Sequence, residues 1–280
     1  MADITPALIA KLRELTNAGM MDCKKALVET QGDLQAAVDV LRKRGMASAA
    51  RKALREAREG VIAQHILPGS KAGVLVEFNC ETDFVAKNES FRAFCDTVAR
   101  TLAASPGTDV EALRVEQVAK TGENIRIARH QRLDVTGHGI VAAYIHTGAK
   151  IGVLAEVGAG LPATVEKDDF KQLVRDITLQ IAAASPLAVS RDGLDPAIIA
   201  KEREIGAEQV KNKPPQAIAK IVEGKLEKFF QTVCLIDQGF VKRNAEVTVK
   251  EHVAGVAKQL GDEIVIRRFL RFQVGEAFVG

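Results

Sequence analysis

The chain has few residues of the kinds that hold small secreted proteins together or bind metals. Its four cysteines, Cys23, Cys80, Cys95 and Cys234, lie far apart and form no Cys-x-x-Cys pair. This spacing predicts neither a zinc site nor a disulfide framework, so reduced thiols are the simplest interpretation. The five histidines form no His-Glu-x-x-His motif. We therefore expect no metal and no other cofactor.

Long hydrophobic runs are also missing. No stretch of 18 apolar residues occurs, and Asp3, Lys11 and Glu14 interrupt any apolar run near the N-terminus. This pattern predicts neither a signal peptide nor a transmembrane helix. We expect a protein that makes no membrane contact and stays in the cytoplasm.

Neither sign of charge is in large excess. Lysine and arginine number 39 against 36 acidic residues, so the net charge of +3 gives no general reason to expect a polyanionic ligand. Basic residues are concentrated in one alanine-rich stretch, at Arg42, Lys43, Arg44, Arg51, Lys52, Arg55 and Arg58. A charged helix of this kind is most simply a solvated linker. Nucleic-acid contact is the weaker alternative, because no aromatic residue is present for base stacking.

Motifs for nucleotide binding and nucleophilic catalysis are missing as well. The sequence contains no Walker lysine motif and no Gly-x-Ser-x-Gly elbow. Residues 158–163 resemble a Gly-x-Gly-x-x-Ala fingerprint, but Pro162 and the polar residues up to Asp169 delay the next helix. We interpret this segment as a loop, and we expect a protein that is not an enzyme and binds no nucleotide itself.

Three short helices are predicted within the first 45 or so residues. Thr5-Pro6 is typical of a helix start, Gly32 of a helix end and Asp33 of an N-cap. So small a bundle has a marginal core, and we expect it to dock against a partner. Met20 and Met21 follow Gly19 in a predicted loop, where they are either adaptable contact residues or part of the core.

The rest of the chain contains two copies of one α+β pattern. Residues 73–77 recur as 152–156 at an offset of 79, whereas residues 122–129 recur as 261–268 at an offset of 139. About sixty extra residues therefore lie inside the second copy. A charged helix from Asp195 to about Asn212, a break at residues 213–215 and a second helix to about Gln231 predict a helical hairpin there.

These patterns predict an α+β fold with three parts. Residues 1–55 form a three-helix module and a basic linker helix, residues 56–140 a first subdomain, and residues 141–280 a second subdomain. Each subdomain is expected to have an antiparallel sheet, and the hairpin is expected at about residues 190–232.

The ten residues 79–88 join an apolar strand to an amphipathic helix. Thr82 or Asp83 can cap the first turn, because either side chain can accept a hydrogen bond from a free amide. Phe84 then lies just inside a short helix, where it can pack inward or project outward. Large apolar side chains are mostly buried, which favours the inward position on residue chemistry alone.

This segment carries a resemblance to a known family. Thr82-Asp83-Phe84-Val85-Ala86-Lys87-Asn88, behind Asn79-Cys80, resembles the signature of elongation factor Ts. Gly19-Met20-Met21 followed by residues 32–37 resembles the ubiquitin-associated (UBA) type domain that this family carries at its N-terminus. The resemblance covers essentially the whole chain. Many family members continue past the position of Gly280 into a helical tail that contacts the partner, so we expect that contact to be absent or altered.

The resemblance implies a nucleotide exchange factor whose partner is the GTPase elongation factor Tu. It implies that Thr82, Asp83, Phe84 and Val85 are presented beside the partner's Mg²⁺ and phosphate-binding elements. Further contact candidates by resemblance are Met20, Met21, Ala86, Lys87, Asn88 and His146.

Several of these assignments leave a plainer alternative open. Asp83 can be a helix cap without a partner contact, and His146 can be a structural histidine. The resemblance also implies that the hairpin can mediate a homodimer. For the whole chain, the alternative function is a non-catalytic adaptor whose N-terminal module recruits ubiquitin-like domains or nascent chains.

Overall fold

The computed structural model describes residues 4–16 and 18–276. These residues form two compact units. The first contains the described residues up to Ala63, then Val76–His130 and the described residues from Gln273; the second contains Gln64–Leu75 and Gln131–Phe272. Among the described helices, none is both long and apolar enough to cross a lipid bilayer. The domain boundaries predicted from the sequence repeat stay predictions.

Three helices open the chain. They are α1 (Pro6–Thr16), α2 (Met20–Glu29) and α3 (Leu34–Lys52). Leu12, Cys23 and Leu27 are fully buried between them. Gly32 has a φ of 89°, and Asp33 caps α3 by accepting a hydrogen bond of 2.9 Å from the amide of Ala36. The predicted stop and cap are both confirmed.

The first copy of the repeat contains three strands and three helices. In chain order they are β1 (Glu59–Ile66), β2 (Ala72–Cys80), α4 (Asp83–Lys87), α5 (Glu89–Ala104), α6 (Glu111–Thr121) and β3 (Arg126–Asp134). The strands form a sheet of order β1-β2-β3. The ring centroids of Phe78 and Phe94 lie 5.6 Å apart in an edge-to-face arrangement, so α5 packs on this sheet as its apolar periodicity predicts.

The second copy has the same order of elements with two helices added. They are β4 (Gly139–Ile145), β5 (Ile151–Ala159), α7 (Pro162–Val165), α8 (Asp168–Ala184), α9 (Pro196–Glu208), α10 (Pro215–Val233), α11 (Val249–Leu260) and β6 (Ile264–Gln273). The strands form a sheet of order β4-β5-β6, with β4 and β5 antiparallel from Gly139↔Gly158 to Ile145↔Gly152. Helices α9 and α10 are inserted between the counterparts of α5 and α6. The predicted α+β fold, with two antiparallel sheets and a helical hairpin in the second copy, is confirmed.

Three details differ from the sequence-based prediction. Helix α2 begins at Met20, so Met20 and Met21 lie in its first turn and not in a loop. Helix α9 ends at Glu208 and not near Asn212, because the chain must reverse before Pro215 starts α10. A short helix, α7, starts at Pro162 within the segment interpreted as a loop.

Helix α3 also continues into the predicted linker and ends at Lys52. It packs against α6, and a Cβ atom added to Gly45 would lie 3.4 Å from Val115 Cγ1. Ala49 is only 1% exposed. The small residues of this stretch thus form a packing face, while the exposed basic side chains of α3 lie on its other sides.

A buried glutamate lies on the central strand of each sheet. Glu77 of β2 is 3% exposed, and its carboxylate accepts hydrogen bonds from Arg129 Nε at 2.7 Å and from the amide of Gly275 at 2.9 Å. Glu156 of β5 is fully buried, and its carboxylate accepts from Arg268 Nε at 2.7 Å and from the amide of Thr136 at 2.7 Å. Each carboxylate therefore joins a strand to chain that is distant in sequence.

Removing the buried carboxylate of Glu156 is expected to be costly. Glu156→Ala leaves Arg268, Arg267 and the amide of Thr136 without this acceptor. Because breaking a buried ion pair on one side leaves an uncompensated charge, we expect the free energy of unfolding to fall by about 3 kcal/mol. Urea denaturation followed by circular dichroism measures this change.

Glu166→Ala is the matched control. Glu166 forms an exposed ion pair with Lys171 at 3.2 Å in the same unit. Surface pairs contribute little, and we expect a loss below about 1 kcal/mol. Equal losses in the two variants would contradict the structural role given to Glu156.

Candidate functional site

A tight corner joins β2 to α4. Thr82 adopts an extended conformation and caps α4, with its Oγ1 accepting a hydrogen bond of 3.4 Å from the amide of Val85. Of the two predicted caps, Thr82 is therefore the one that forms, and Asp83 is the first helical residue. Residues 82–88 follow at this corner, all within the first unit.

Phe84 projects outward from this corner. Its side chain is 81% exposed, so the inward position favoured by residue chemistry is wrong. The buried residue of α4 is Ala86, which is 3% exposed. Two residues along a helix correspond to a rotation of about 200°, so Phe84 lies on the side opposite Ala86. The helix is oriented by the small residue, and the aromatic ring faces solvent.

Glu123 holds the corner from the turn after α6. Its carboxylate accepts hydrogen bonds from the amide of Glu81 at 3.0 Å, the amide of Thr82 at 3.1 Å and the hydroxyl of Thr82 at 2.5 Å. In return, Glu81 Oε1 accepts a hydrogen bond of 2.6 Å from the amide of Asn124. The role of Glu123 was not predicted from the sequence. The available signal was its position directly after Gly122, which ends α6 with a φ of 77°.

Asp83 and Lys87 form an ion pair along one side of α4. Lys87 Nζ lies 2.6 Å from Asp83 Oδ2, and the two side chains are 72% and 47% exposed. The hydrogen bond from Lys87 holds the pKa of Asp83 below its ordinary value. Asp83 is consequently a carboxylate at neutral pH, next to the exposed ring of Phe84.

Asn88 ends the corner and starts α5. Its Oδ1 accepts hydrogen bonds from the amides of Ser90 at 2.8 Å and Phe91 at 3.3 Å. Arg92 Nε donates to the carbonyl oxygen of Ala86 at 3.2 Å. Ala86 and Asn88 therefore stabilise the fold through these hydrogen bonds, whereas the side chain of Phe84 has no such role.

The second copy of the repeat contains an equivalent corner between β5 and α7. Asp262, the counterpart of Glu123, accepts a hydrogen bond of 2.9 Å from the amide of Leu161. The hydroxyl of Thr164 also donates to Asp262 and contributes most to lowering its pKa. At the position of Phe84 this corner has Ala163. Since the second corner forms with alanine there, the exposed aromatic residue is not required for folding.

The remaining contact candidates lie elsewhere in the chain. Met20 and Met21 are 58% and 62% exposed on α2, in the same unit as the corner, so neither fills the core of the helical module. His146 belongs to the other unit. It is exposed after β4, and its Nδ1 lies 3.0 Å from the hydroxyl oxygen of Tyr144.

The described residues offer no metal site of the usual composition. Within residues 4–16 and 18–276, no group of three or more His, Cys, Asp and Glu side chains is arranged to hold a metal ion. The four cysteines are buried, and none of them forms a disulfide with another described residue. Burial raises the pKa of Cys95, as does the negative charge of nearby Asp96. The outstanding feature of the site is therefore an exposed aromatic side chain on a fixed corner.

The chain is similar to known proteins over nearly all of its length. The family described as elongation factor TS matches residues 81–276, which begin at the corner. A protein named elongation factor Ts from Symbiobacterium thermophilum is 44% identical over 285 residues, covering 99% of this chain and 93% of the relative. Proteins of the same name from Clostridium novyi and Lawsonia intracellularis are 40% and 39% identical, covering 98% of this chain and 93% and 99% of the relatives.

These findings define a translation elongation factor. More particularly, the chain belongs to the elongation factor Ts family. The resemblance seen in residues 82–88 is thereby confirmed.

The cap formed by Asn88 gives a prediction about stability. Asn88→Ala removes the acceptor for the first amides of α5, and we expect the free energy of unfolding to fall by about 1 kcal/mol. Asn88→Asp is the matched control, because aspartate caps helices about as well as asparagine. Urea denaturation measures both. Equal stability of the alanine variant and the wild type would contradict the capping role.

Proposed function

We propose that this protein promotes the release of GDP from elongation factor Tu, so that GTP can bind in its place. It acts as a nucleotide exchange factor and performs no covalent chemistry. The partner is expected in the cytoplasm, where translation takes place.

The observation that carries the proposal is Phe84, 81% exposed on a corner that is fixed from behind. An exposed aromatic residue on a rigid support suits a protein contact, because its burial contributes binding energy with little loss of side-chain freedom. The equivalent corner of the second copy shows that the fold does not need the ring. Membership of the elongation factor Ts family supports elongation factor Tu as the protein that receives it.

The mechanism follows from thermodynamic linkage. If this chain binds nucleotide-free elongation factor Tu more tightly than the GDP complex, GDP must bind more weakly to the GTPase when the chain is present. A Mg²⁺ ion bridges protein and phosphate oxygens in such sites. Disturbing its surroundings therefore weakens the hold on the diphosphate.

The residues of the corner have distinct parts in this proposal. Phe84 is an apolar wedge that enters between elements of the partner. Asp83, ionised and half-exposed, acts on the metal side of the partner's site. Thr82 and Val85 hold the first turn of α4 through the cap hydrogen bond. Lys87 pairs with Asp83 and sets its position.

Phe84→Ala tests the wedge. We expect the stimulated rate of GDP release to fall by about tenfold or more, because aromatic residues at interface centres commonly contribute over 1.4 kcal/mol. The measurement is release of a fluorescent GDP from elongation factor Tu, with and without this protein. Circular dichroism and thermal unfolding should be unchanged, since the ring makes few contacts within its own chain.

Leu161→Ala is the matched control for Phe84→Ala. Leu161 is a large apolar side chain, 54% exposed on the equivalent corner of the second copy. We expect this variant to keep its exchange rate within about twofold, in line with surface substitutions away from special features. A Phe84→Ala variant that folds and exchanges at the wild-type rate would rule out the wedge.

The exposed methionines bear on the alternative function, a non-catalytic adaptor. Met20 and Met21 on α2 suit contact with a partner and fit both functions. In the exchange-factor proposal they and His146 are additional contacts to elongation factor Tu. A pull-down from bacterial lysate separates the two, because only the exchange factor should retain elongation factor Tu as its dominant stoichiometric partner.

The hairpin supports a second proposal, self-association. Its helices cover part of their own apolar seam, since Val222 and Leu226 are buried, but Ile198 and Ile205 each remain 39% exposed. We propose that a second copy of the chain covers this remaining surface.

Analytical ultracentrifugation tests the proposal. We expect a dimer at high protein concentration and a monomer for an Ile198→Glu, Ile205→Glu double variant, because charge on the seam opposes its burial. Monomer alone in the wild type at high concentration would remove the proposal.

A further inference from the structure

The turn between α6 and β3 is the support of the corner that carries Phe84. The carboxylate of Glu123 accepts three hydrogen bonds from the corner, two from successive backbone amides and one from the hydroxyl of the cap residue Thr82. Hydrogen bonds to an ionised carboxylate are stronger than neutral ones. All three groups lie immediately before the helix that presents the ring.

Helix α4 cannot fix its own direction. It has five residues, and a helix this short has no stability of its own in water. Phe84 is mostly in solvent and contributes little to holding it. The direction in which the ring points must therefore be set from outside α4, by the groups that hold its first turn and by the burial of Ala86.

Glu123 is itself held in place. It follows Gly122, which ends α6 in the left-handed conformation, and its amide donates to Thr121 Oγ1 at 3.3 Å. The next amide, that of Asn124, donates to Glu81 Oε1 at 2.6 Å. Glu123 thus accepts from the amides of Glu81 and Thr82, while Glu81 accepts from the amide of Asn124, so the two segments are joined by hydrogen bonds in both directions.

We propose that Glu123 is a positioning residue for exchange, which keeps Phe84 in the direction required for entry into the partner. This inference rests on the proposed function. It assigns Glu123 no contact with the partner and makes it act through the wedge. Without Glu123 the ring is still present, but only a fraction of the molecules hold it in the competent direction.

The proposal predicts a particular kinetic signature. When only a fraction of the molecules is competent to bind, the apparent affinity for elongation factor Tu falls in proportion to that fraction. The complex formed at saturation is unchanged. We expect Glu123→Ala to raise by about tenfold the concentration of this protein that gives half-maximal GDP release. The maximal rate of GDP release should stay within about twofold of the wild type. Phe84→Ala, in contrast, lowers the maximal rate.

A double-mutant cycle tests whether Glu123 acts through Phe84. If it does, the Glu123→Ala, Phe84→Ala double variant and the Phe84→Ala single variant should differ by less than about twofold in the rate of GDP release, because the ring that Glu123 positions is already absent. Equal losses in both backgrounds would overturn the proposal, since they would show a general effect on the fold. No change in exchange for Glu123→Ala would overturn it as well.

Asp262→Ala is the matched control, because it removes the equivalent carboxylate from the corner that carries Ala163. We expect it to leave the half-saturating concentration within about twofold of the wild type. Glu123→Gln serves if the alanine variant does not fold, since it keeps one acceptor oxygen and loses the charge. It should show a smaller change in the same direction.

Hydrogen exchange on the chain alone separates this inference from the proposed function. By amide exchange and NMR, we expect Glu123→Ala to lower the protection of the Glu81 and Thr82 amides by about tenfold, with the amides of β5 unchanged. Unchanged protection at Glu81 and Thr82 would overturn the positioning role. If the wild type did not release GDP from elongation factor Tu, the proposed function would fail while this measurement still decided the role of Glu123.

Discussion

A buried carboxylate on the central strand of each sheet is the interaction on which the rest of the structure depends. Glu77 and Glu156 occupy the same position in the two copies of the repeat, and each pairs with the arginine of a later strand, Arg129 or Arg268. A buried charge is tolerated only when its partners are in place. Each pair therefore ties the last strand to the central one, across the helices that lie between them in sequence.

The two copies serve as an internal comparison of fold and function. Both have a glycine that ends the last helix, α6 or α11, an acidic residue after it, and a corner held by that residue's carboxylate. Both also have a closely packed glycine within the first two residues of their first strand, since a Cβ at Gly60 or Gly139 would collide with the facing carbonyl oxygen. What the copies share is thus explained by folding. Phe84 against Ala163 is a difference that folding does not explain, and it is where a function is best sought.

Periodicity and end signals predicted most of the fold. The amphipathic helix expected after residues 79–88 is α5, Gly32 and Asp33 marked the junction between α2 and α3, and the change of offset located the hairpin. The direction of Phe84 was not accessible in this way, because α4 is too short to have a periodicity. Nor was the role of Glu123, which depends on a contact between residues about forty positions apart. Local sequence patterns specify helices and strands, whereas the conformation of a corner is specified by contacts with residues that are distant in sequence.

An exposed phenylalanine does little harm to the free protein, and its burial can contribute enough free energy for binding. Single apolar side chains at a surface are common and do not by themselves cause aggregation. Burying one phenylalanine in a partner contributes about 2–3 kcal/mol. Since about 1.4 kcal/mol corresponds to a tenfold change in an equilibrium constant, one ring can shift a nucleotide affinity by more than an order of magnitude. Immobilising a side chain on binding costs about 0.5–1.5 kcal/mol, so a rigid corner that already holds the ring leaves more of this energy for affinity.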